Sequence, residues 1–422
     1  MKITVIGLGK LGLPLAVQFA SKNNFVVGLD IDVNWVNAIN LGHTPIAEEL
    51  DLDWKLKEVV SSGHLKATTD PKNAIADAEI IVVTVPLITN EGGEPDFSII
   101  DSVTESIGNF INKGTLVCYE TTVPIGSTRN RFGKRIQHLS NLEIGEDIFI
   151  VFSPERVLTG RVFSDLRKYP KIVGGLTDSC TLKGIEFYKS VLDFDKRADL
   201  KNDNGVWSLG TSEAAEFVKL AETTYRDVNI GLANQFAIHA QELNLEIQEI
   251  IDASNSQYYS HIHQPGISVG GHCIPVYPHL YLISDTEASL VKEARVLNKN
   301  MPKFFVQQLV DKVGSISGEK VLVLGISYRP GVKEVAFSGA YDLQKILLSF
   351  GALPYFQDPL FTSEEILKLG FEPGVLDADT ELLIIHTAHE EFMHLNLSQY
   401  AKLKWIVDGR DVLGQGIGII QP

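Results

Sequence analysis

The sequence predicts an α/β protein. Two Rossmann-like, doubly wound parallel-sheet domains are joined by a helical middle with one long central helix. Three observations predict it. Short apolar runs alternate with helix-like stretches from the first residues to Phe152. A segment from 211 to about 244 contains no proline and keeps a helix-like apolar spacing. Lys320-Val321-Leu322-Val323-Leu324-Gly325 then repeats the strand–glycine opening Lys2-Ile3-Thr4-Val5-Ile6-Gly7.

Each element follows from its local pattern. The first strand runs into a glycine turn and an apolar helix over 11–19. Phe25-Val26-Val27-Gly28-Leu29-Asp30 is a second strand, and Glu79-Ile80-Ile81-Val82-Val83-Thr84-Val85-Pro86 is another after an intervening helical stretch. Thr115-Leu116-Val117-Cys118-Tyr119-Glu120 and Ile148-Phe149-Ile150-Val151-Phe152 continue the series. The pattern changes after Ser208, where Thr211 or Ser212 can cap a long helix interrupted only by Gly231. Its roughly 33 residues span about 50 Å at 1.5 Å per residue, a length that suits a spine between domains or a dimer interface. Further helices cover 246–255 and 289–313, and Ser315-Ile316-Ser317-Gly318-Glu319-Lys320 reads as a linker. Beyond it, Ala352-Leu353-Pro354-Tyr355-Phe356-Gln357-Asp358 resembles the second strand, ending in an acid as Asp30 does, and Glu381-Leu382-Leu383-Ile384-Ile385-His386-Thr387 is a third. The expected domains are 1–205, 206–314 and 315–422.

Bulk properties narrow the function classes. A chain of 422 residues is long enough for two or three cores, and 44% hydrophobic with 21% charged residues is a soluble globular balance. A net charge of −16 argues against nucleic acid or anionic membrane as a partner, while leaving room for a small phosphate ligand in a local pocket of donors. Three cysteines, Cys118, Cys180 and Cys273, make no disulfide framework and suit a reducing cytoplasm. The first residues run straight into a strand, so no basic n-region with a cleavage site is expected there, and no apolar run approaches the roughly 20 residues that span a bilayer.

Gly7-Leu8-Gly9-Lys10-Leu11-Gly12 lies between a strand and a helix. Such glycines permit a tight turn and close approach of backbone to a pyrophosphate at a helix N-terminus. Asp30 ends the next strand, about 20 residues on, where a carboxylate binds the ribose 2′-OH and repels a 2′-phosphate, so NAD is expected over NADP. Cys273 sits in Ser268-Val269-Gly270-Gly271-His272-Cys273-Ile274-Pro275, a glycine-flanked turn in which a thiol can approach a substrate. A buried structural cysteine is the plainer alternative. Lys219 shares one helix face with Thr223 and Arg226. It is either a solvated surface lysine or a buried acid, base or alkoxide stabiliser. Glu155, in Ser153-Pro154-Glu155-Arg156, follows a strand, where α/β sheets place ligand-contacting loops, and can hold a water or simply be solvated. The hydroxyls of Thr121-Thr122-Val123-Pro124 are likewise placed to bond cofactor or substrate. Cys118 and Cys180 read as structural. His261, His263 and His272 lack metal-ligand spacing, and no metal site is expected.

Together these segments resemble the UDP-glucose/UDP-N-acetylmannosamine (nucleotide-sugar) 6-dehydrogenase family over essentially the whole chain. The signatures are Gly7-x-Gly9-x-x-Gly12, Glu120-Thr121-Thr122-Val123-Pro124-Ile125-Gly126-Ser127-Thr128, Ser153-Pro154-Glu155-Arg156-Val157-Leu158 and Gly270-Gly271-His272-Cys273-Ile274-Pro275-Val276. The wording is most similar to the branch acting on UDP-N-acetylhexosamines. The resemblance implies NAD held by Gly7, Gly9, Lys10, Leu11, Gly12, Asp30, Val85, Pro86 and Thr122. It implies a UDP-sugar contacted by Arg156, Tyr259, Gly270, Gly271, Tyr277, Tyr328, Arg329 and Arg410. It further implies oxidation at C6 of the sugar, a thiohemiacetal and then a thioester on Cys273, and hydrolysis by a water that Glu155 directs. Lys219 and Thr223 would serve the oxyanions, and Thr122 would support the site. A homodimer or higher homo-oligomer, spined by the long helix, and a place in polysaccharide biosynthesis are also implied.

Four positions depart from the family pattern. Thr223 stands for an asparagine, Tyr277 for an aspartate, Tyr259 for an arginine that reaches across the dimer, and Ala336-Phe337-Ser338 for Arg-Glu-Ser. Arg329 replaces a lysine that binds nucleotide-sugar. A single or differently placed oxidation, or a nucleotide-sugar-binding paralogue with little catalysis, therefore stands beside the leading expectation.

Overall fold

The computed structural model describes residues 1–46, 48–90 and 92–420; positions 47 and 91, and the last two residues of the expected third domain, lie outside the described residues. The chain divides into two compact units, Met1–Ala221 and Glu222–Pro422.

The first unit contains β1 (Lys2–Ile6), β2 (Phe25–Leu29), β3 (Leu65–Thr68), β4 (Ile80–Val83), a small hairpin of β5 (Ile88–Thr89) and β6 (Pro95–Asp96), β7 (Leu116–Tyr119), β8 (Phe149–Phe152), β9 (Lys171–Gly175) and β10 (Val206–Thr211). All but the hairpin form one sheet in the order β10-β9-β8-β7-β4-β1-β2-β3. Its pairs are parallel except β8–β9, where Val151 faces Gly175 and Phe152 faces Gly174 in antiparallel register. β4, β7 and β8 are buried at every position, as a sheet covered on both faces requires. Strand order reverses between β1 and β4, so the loops leaving these two strands meet at a topological switch point.

The second unit repeats this plan with β11 (Lys320–Leu324), β12 (Leu353–Gln357), β13 (Leu382–Ile385), β14 (Trp405–Asp408) and β15 (Gly418–Ile420), ordered β12-β11-β13-β14-β15. Only β14–β15 is antiparallel. The switch point here lies between β11 and β13.

Both expected parallel sheets are present, with strands the sequence reading did not name. β9 opens on a lysine and ends in two glycines, and the mostly exposed edge strand β10 has no apolar run. β10 pairs with β9, so the first sheet continues to Thr211, past the expected boundary at 205.

The long helix covers Ser212–Glu242, 31 residues. Within the second unit it packs on the helix Ser289–Val313. A Cβ on Gly231 would lie 3.0 Å from Ala294 Cβ and 3.2 Å from its Cα, so the glycine that interrupts the apolar spacing is where the two helices come closest. A buried polar ladder runs beside this contact. Asn298 Nδ2 donates to both the main-chain oxygen and Oδ1 of Asp227 at 2.9 Å, and Asn234 Nδ2 donates to Asn298 Oδ1 at 2.9 Å. Asn234 Oδ1 accepts the Gly266 N–H at 2.9 Å, and Arg295 Nη1 lies 3.2 Å from Asp227. Among the described residues, no helix is long and apolar enough to cross a membrane.

Gly231→Leu should lower stability by about 1–3 kcal/mol through overpacking. A urea titration followed by circular dichroism measures this, and an unchanged midpoint would refute the close helix contact.

Candidate active site

The loop after β1 is built around missing side chains. Gly7 has φ +90°, and a Cβ there would meet Val85 at 3.1 Å. A Cβ on Gly12 would lie 1.8 Å from the Gly7 carbonyl oxygen and 2.5 Å from Thr84 Oγ1. That same carbonyl accepts from the Thr84 hydroxyl at 2.8 Å, tying the loop after β4 to the loop after β1. Gly9 has nothing within 4 Å of its ideal Cβ position, which leaves open space over the backbone. Asp30, half-buried, braces the turn by accepting the Leu8 N–H on Oδ2 at 2.8 Å, and the Trp35 indole donates to the Leu8 carbonyl at 2.7 Å. The helix Gly12–Ala20 starts at once, with Leu11 before it. Lys10 is exposed, 3.9 Å from Glu48. Val85 is buried, and its carbonyl accepts from Thr121 Oγ1 at 2.6 Å; Pro86 next to it is exposed.

At the same edge of the sheet, β7 and β8 deliver Glu120 and Glu155. Glu155 is 8% exposed, not a solvated loop carboxylate. Its Oε2 lies 2.7 Å from Lys171 Nζ, and its Oε1 accepts the Arg156 N–H at 2.8 Å. Lys171 Nζ also donates to Glu120 Oε2 at 3.0 Å, and Glu120 Oε1 accepts from the Tyr188 hydroxyl at 2.6 Å. Burial pushes the Glu120 carboxyl up to about 7. Burial also acts to raise Glu155, but Lys171 overcomes it and holds that carboxyl below its ordinary value. Lys219 is half-buried, and its Nζ donates to the main-chain oxygen of Glu155 at 2.6 Å. The structure thus brings Lys219 and Glu155 together, and the lysine is not a freely solvated one. The Arg156 guanidinium donates to Pro170 O at 3.2 Å.

Thr122 is buried in the loop after β7. That loop is pinned by Glu216, one turn before Lys219, which accepts from the Gly126 N–H at 2.5 Å, the Thr128 N–H at 2.9 Å and the Thr128 hydroxyl at 2.7 Å. Burial lifts the Glu216 carboxyl to about 7 despite these three donors.

In the second unit, Thr223 is buried on the long helix and Tyr259 is 82% exposed. Cys273 is half-buried, one turn before the helix Tyr277–Ser284, and its carbonyl accepts the Tyr277 N–H at 2.9 Å. The turn leading to it rests on Tyr328. A Cβ on Gly270 would stand 2.8 Å from Tyr328 Cβ, and one on Gly271 (φ +93°) 2.8 Å from the ring. The Gly271 N–H donates to Ala336 O at 3.0 Å, and His272 pairs with Glu334 at 2.5 Å. The Arg329 guanidinium lies 5.6 Å from the Tyr328 ring centre. Burial raises the Tyr328 phenol, and Cys273 beside it acts in the same direction. The structure therefore assembles Gly270, Gly271, Cys273, Tyr277, Tyr328 and Arg329. Cys118 and Cys180 are fully buried, and among the described residues no group of histidine, cysteine and acid side chains could hold a metal.

Arg410 follows β14. Its Nε donates to His386 O at 2.9 Å, and its Nη2 donates to Ser268 O at 2.9 Å and Ser268 Oγ at 3.0 Å. Burial pulls the guanidinium down to about 10. It lines a cavity of about 240 Å³ with Ile247, Gln248, Gln264, Pro265 and Asp411.

Three models of the UDP-glucose/GDP-mannose dehydrogenase family match consecutive parts of this chain: the NAD binding domain over 1–192, the central domain over 213–300 and the UDP binding domain over 322–415. The chain belongs to this family. UDP-N-acetyl-D-mannosamine dehydrogenase of Campylobacter jejuni is 37% identical over 409 residues, 93% of this chain and 97% of the relative. The Pyrococcus horikoshii protein of the same name is 33% identical over 424 residues, 98% of this chain and 96% of the relative. The solved structure of UDP-D-ManNAc dehydrogenase from Pyrococcus horikoshii superposes with a TM-score of 0.85 at 31% identity, covering 98% of this chain and 96% of that one.

As a member of the UDP-glucose/GDP-mannose dehydrogenase family, the chain is an NAD-dependent nucleotide-sugar dehydrogenase. The first switch point fits NAD: the open surface at Gly9 admits a pyrophosphate, and Asp30 stands where a ribose diol binds. Sequence reasoning assigned no role to Lys171, Glu120 or Glu216. A lysine opening a strand reads as solvated, and only the antiparallel turn of β9 carries it to the ends of β7 and β8. Glu120 was visible as the first residue of its motif, and Glu216 as an acid near Lys219 on the same helix.

Gly12→Ala should force apart the Gly7 and Thr84 loops and abolish saturable NAD binding in a fluorescence titration. Asp30→Asn should weaken NAD by about tenfold, the worth of a hydrogen bond to a charged group, and narrow the preference for NAD over NADP. Wild-type affinity in both variants would exclude this loop as the cofactor site.

Proposed function

We propose that this dehydrogenase oxidises C6 of a UDP-N-acetylhexosamine, with UDP-N-acetylmannosamine first among candidates, to the uronic acid in two steps on one enzyme. The observation that carries this is the half-buried Cys273 on its glycine turn against Tyr328 and Arg329. Similarity to the named UDP-N-acetyl-D-mannosamine dehydrogenases supports the substrate class.

NAD, held at the first switch point, supplies the hydride acceptor for both oxidations. The Cys273 thiolate adds to the C6 aldehyde and forms a thiohemiacetal, whose oxidation gives a thioester. Lys219 provides positive charge for the alkoxide and oxyanion stages, and Thr223 provides one hydroxyl donor. Glu155 takes a proton from the hydrolytic water, and Thr122 supports the loop beside it. Gly270, Gly271, Tyr328, Arg329 and Arg410 bind the nucleotide-sugar, with the two arginines suited to its diphosphate. Arg156, Tyr259 and Tyr277 complete the substrate contacts. In this scheme 1–205 binds NAD, 206–314 carries Lys219 and Cys273 and forms the dimer along the long helix, and 315–422 binds UDP. The enzyme works as a cytoplasmic homodimer that makes a sugar acid for polysaccharide synthesis; light scattering on the purified protein tests the dimer.

Tyr277 favours a second reading, oxidation that stops at the aldehyde. A tyrosine, with an ordinary pKa near ~10, does not supply the negative charge of an aspartate at neutral pH. Product mass separates the two readings, since an acid records the loss of two hydrides and an aldehyde of one.

Two NADH should form per uronic acid from UDP-N-acetylmannosamine. Cys273→Ser should lower conversion to acid by about three orders of magnitude or more. Acid production by Cys273→Ser at the wild-type rate would overturn the thioester route, and absence of turnover with every UDP-sugar tried, alongside intact NAD binding, would overturn the function.

A further inference from the structure

Three charged side chains meet in the interior of the first unit. Lys171 is 4% exposed, Glu120 2% and Glu155 8%. The antiparallel register of β8 and β9, continued past Phe152 and Gly174, sets Glu155 opposite Lys171, and the Ser153 hydroxyl holds that register by donating to Ile172 O at 2.7 Å. Glu120 enters from β7, the neighbour of β8. The ammonium therefore bridges two carboxyl groups, at 2.7 Å to Glu155 and 3.0 Å to Glu120. With both carboxyls ionised the trio carries one uncompensated negative charge out of water, so near neutral pH the two share a proton. Tyr188 faces the trio from the helix Asp178–Val191, donating to Glu120 and lying under Lys171 with its ring centre 4.8 Å from Nζ. Cys118 lies beside Glu120 and Tyr188, with its thiol raised by burial, and Lys219 reaches the main-chain oxygen of Glu155.

We propose that Lys171 and Glu120 are positioning residues for the hydrolytic half-reaction: Lys171 keeps Glu155 ionised and fixes its direction, and Glu120 holds the shared proton in its place. The proposal rests on the role given to Glu155 above. In the step concerned, the water oxygen bonds to the thioester carbon, its proton passes to a Glu155 oxygen, and the C–S bond breaks to return the Cys273 thiolate. Each Glu155 oxygen keeps lone pairs beyond those bound by Lys171 and the Arg156 N–H, so the clamp leaves an acceptor for water. Neither Lys171 nor Glu120 touches the reacting atoms in this scheme. Loss of the Lys171 ammonium should slow hydrolysis and leave the oxidations intact.

The test uses the full chain with NAD and UDP-N-acetylmannosamine. Lys171→Met should release a burst of two NADH per Cys273, leave a covalent sugar adduct on Cys273 in intact-mass spectra, and turn over about 10²-fold more slowly, with KM falling alongside kcat and kcat/KM little changed. Lys171→Arg should recover most of the rate. Glu120→Gln mimics the protonated carboxyl and should leave the acid limb of the kcat–pH profile where it is; it carries the test alone if Lys171→Met does not fold. Wild-type turnover without adduct in Lys171→Met, or an acid limb moved to lower pH in Glu120→Gln, would overturn the proposal. Glu155→Gln serves as the control. If it accumulates the adduct while Lys171→Met behaves as wild type, or while the acid limb moves to lower pH in Glu120→Gln, only this proposal fails. If it hydrolyses at the wild-type rate, the role of Glu155 itself fails.

Discussion

The nucleotide end of the molecule depends on one position that tolerates no side chain. Gly12 rests on the Gly7 carbonyl oxygen, which also receives the Thr84 hydroxyl. Through that oxygen the end of β1, the start of the following helix and the loop leaving β4 are drawn to one point. The Leu8 N–H is thereby turned toward Asp30, and the surface over Gly9 is left clear. The carboxylate and the phosphate surface are consequences of the same backbone approach.

The second unit uses this solution again and ends elsewhere chemically. Gly325 sits against Thr387 as Gly7 sits against Val85, and Asp358 ends β12 as Asp30 ends β2. Asp358, however, is buried and accepts the N–H groups of Ile326, Ser327 and Leu360 with His389 at 3.2 Å. Burial acts to raise it, yet these partners hold it at about 2. Its lone pairs serve the protein's own backbone, whereas Asp30 remains partly open to a ligand. Two copies of one architecture thus differ in what they offer a nucleotide, in keeping with one matching an NAD binding domain and the other a UDP binding domain.

Much of this was legible in the sequence because it is local. Strands buried on both faces appear as continuous apolar runs, the glycine spacing is a backbone requirement, and a helix without proline declares its length. What escaped depends on distant pairing. β9 and β10 are short, polar-ended strands whose existence follows from their neighbours. Lys171 gains its partners only through strand reversal, and Glu216 only through a loop some ninety residues earlier in the chain. The motifs around Glu155 and Lys219 drew attention to two residues that the fold brings together, but the plain expectation that such groups are solvated does not hold: Glu155 is buried and Lys219 half-buried. Tyr259 shows the opposite case, a motif position that lies in the open.

The ladder of Asp227, Asn234 and Asn298 has a mechanical meaning. A step of one residue along a helix is about 1.5 Å, enough to part each of these amides from its acceptor at once and to carry Gly231 off Ala294. There is no intermediate setting in which the buried amides are satisfied. Within the second unit the helices Ser212–Glu242 and Ser289–Val313 are therefore keyed to one axial position, like a bolt in a slot, and a force applied to one is passed to the other as displacement of a single rigid piece rather than as gradual sliding.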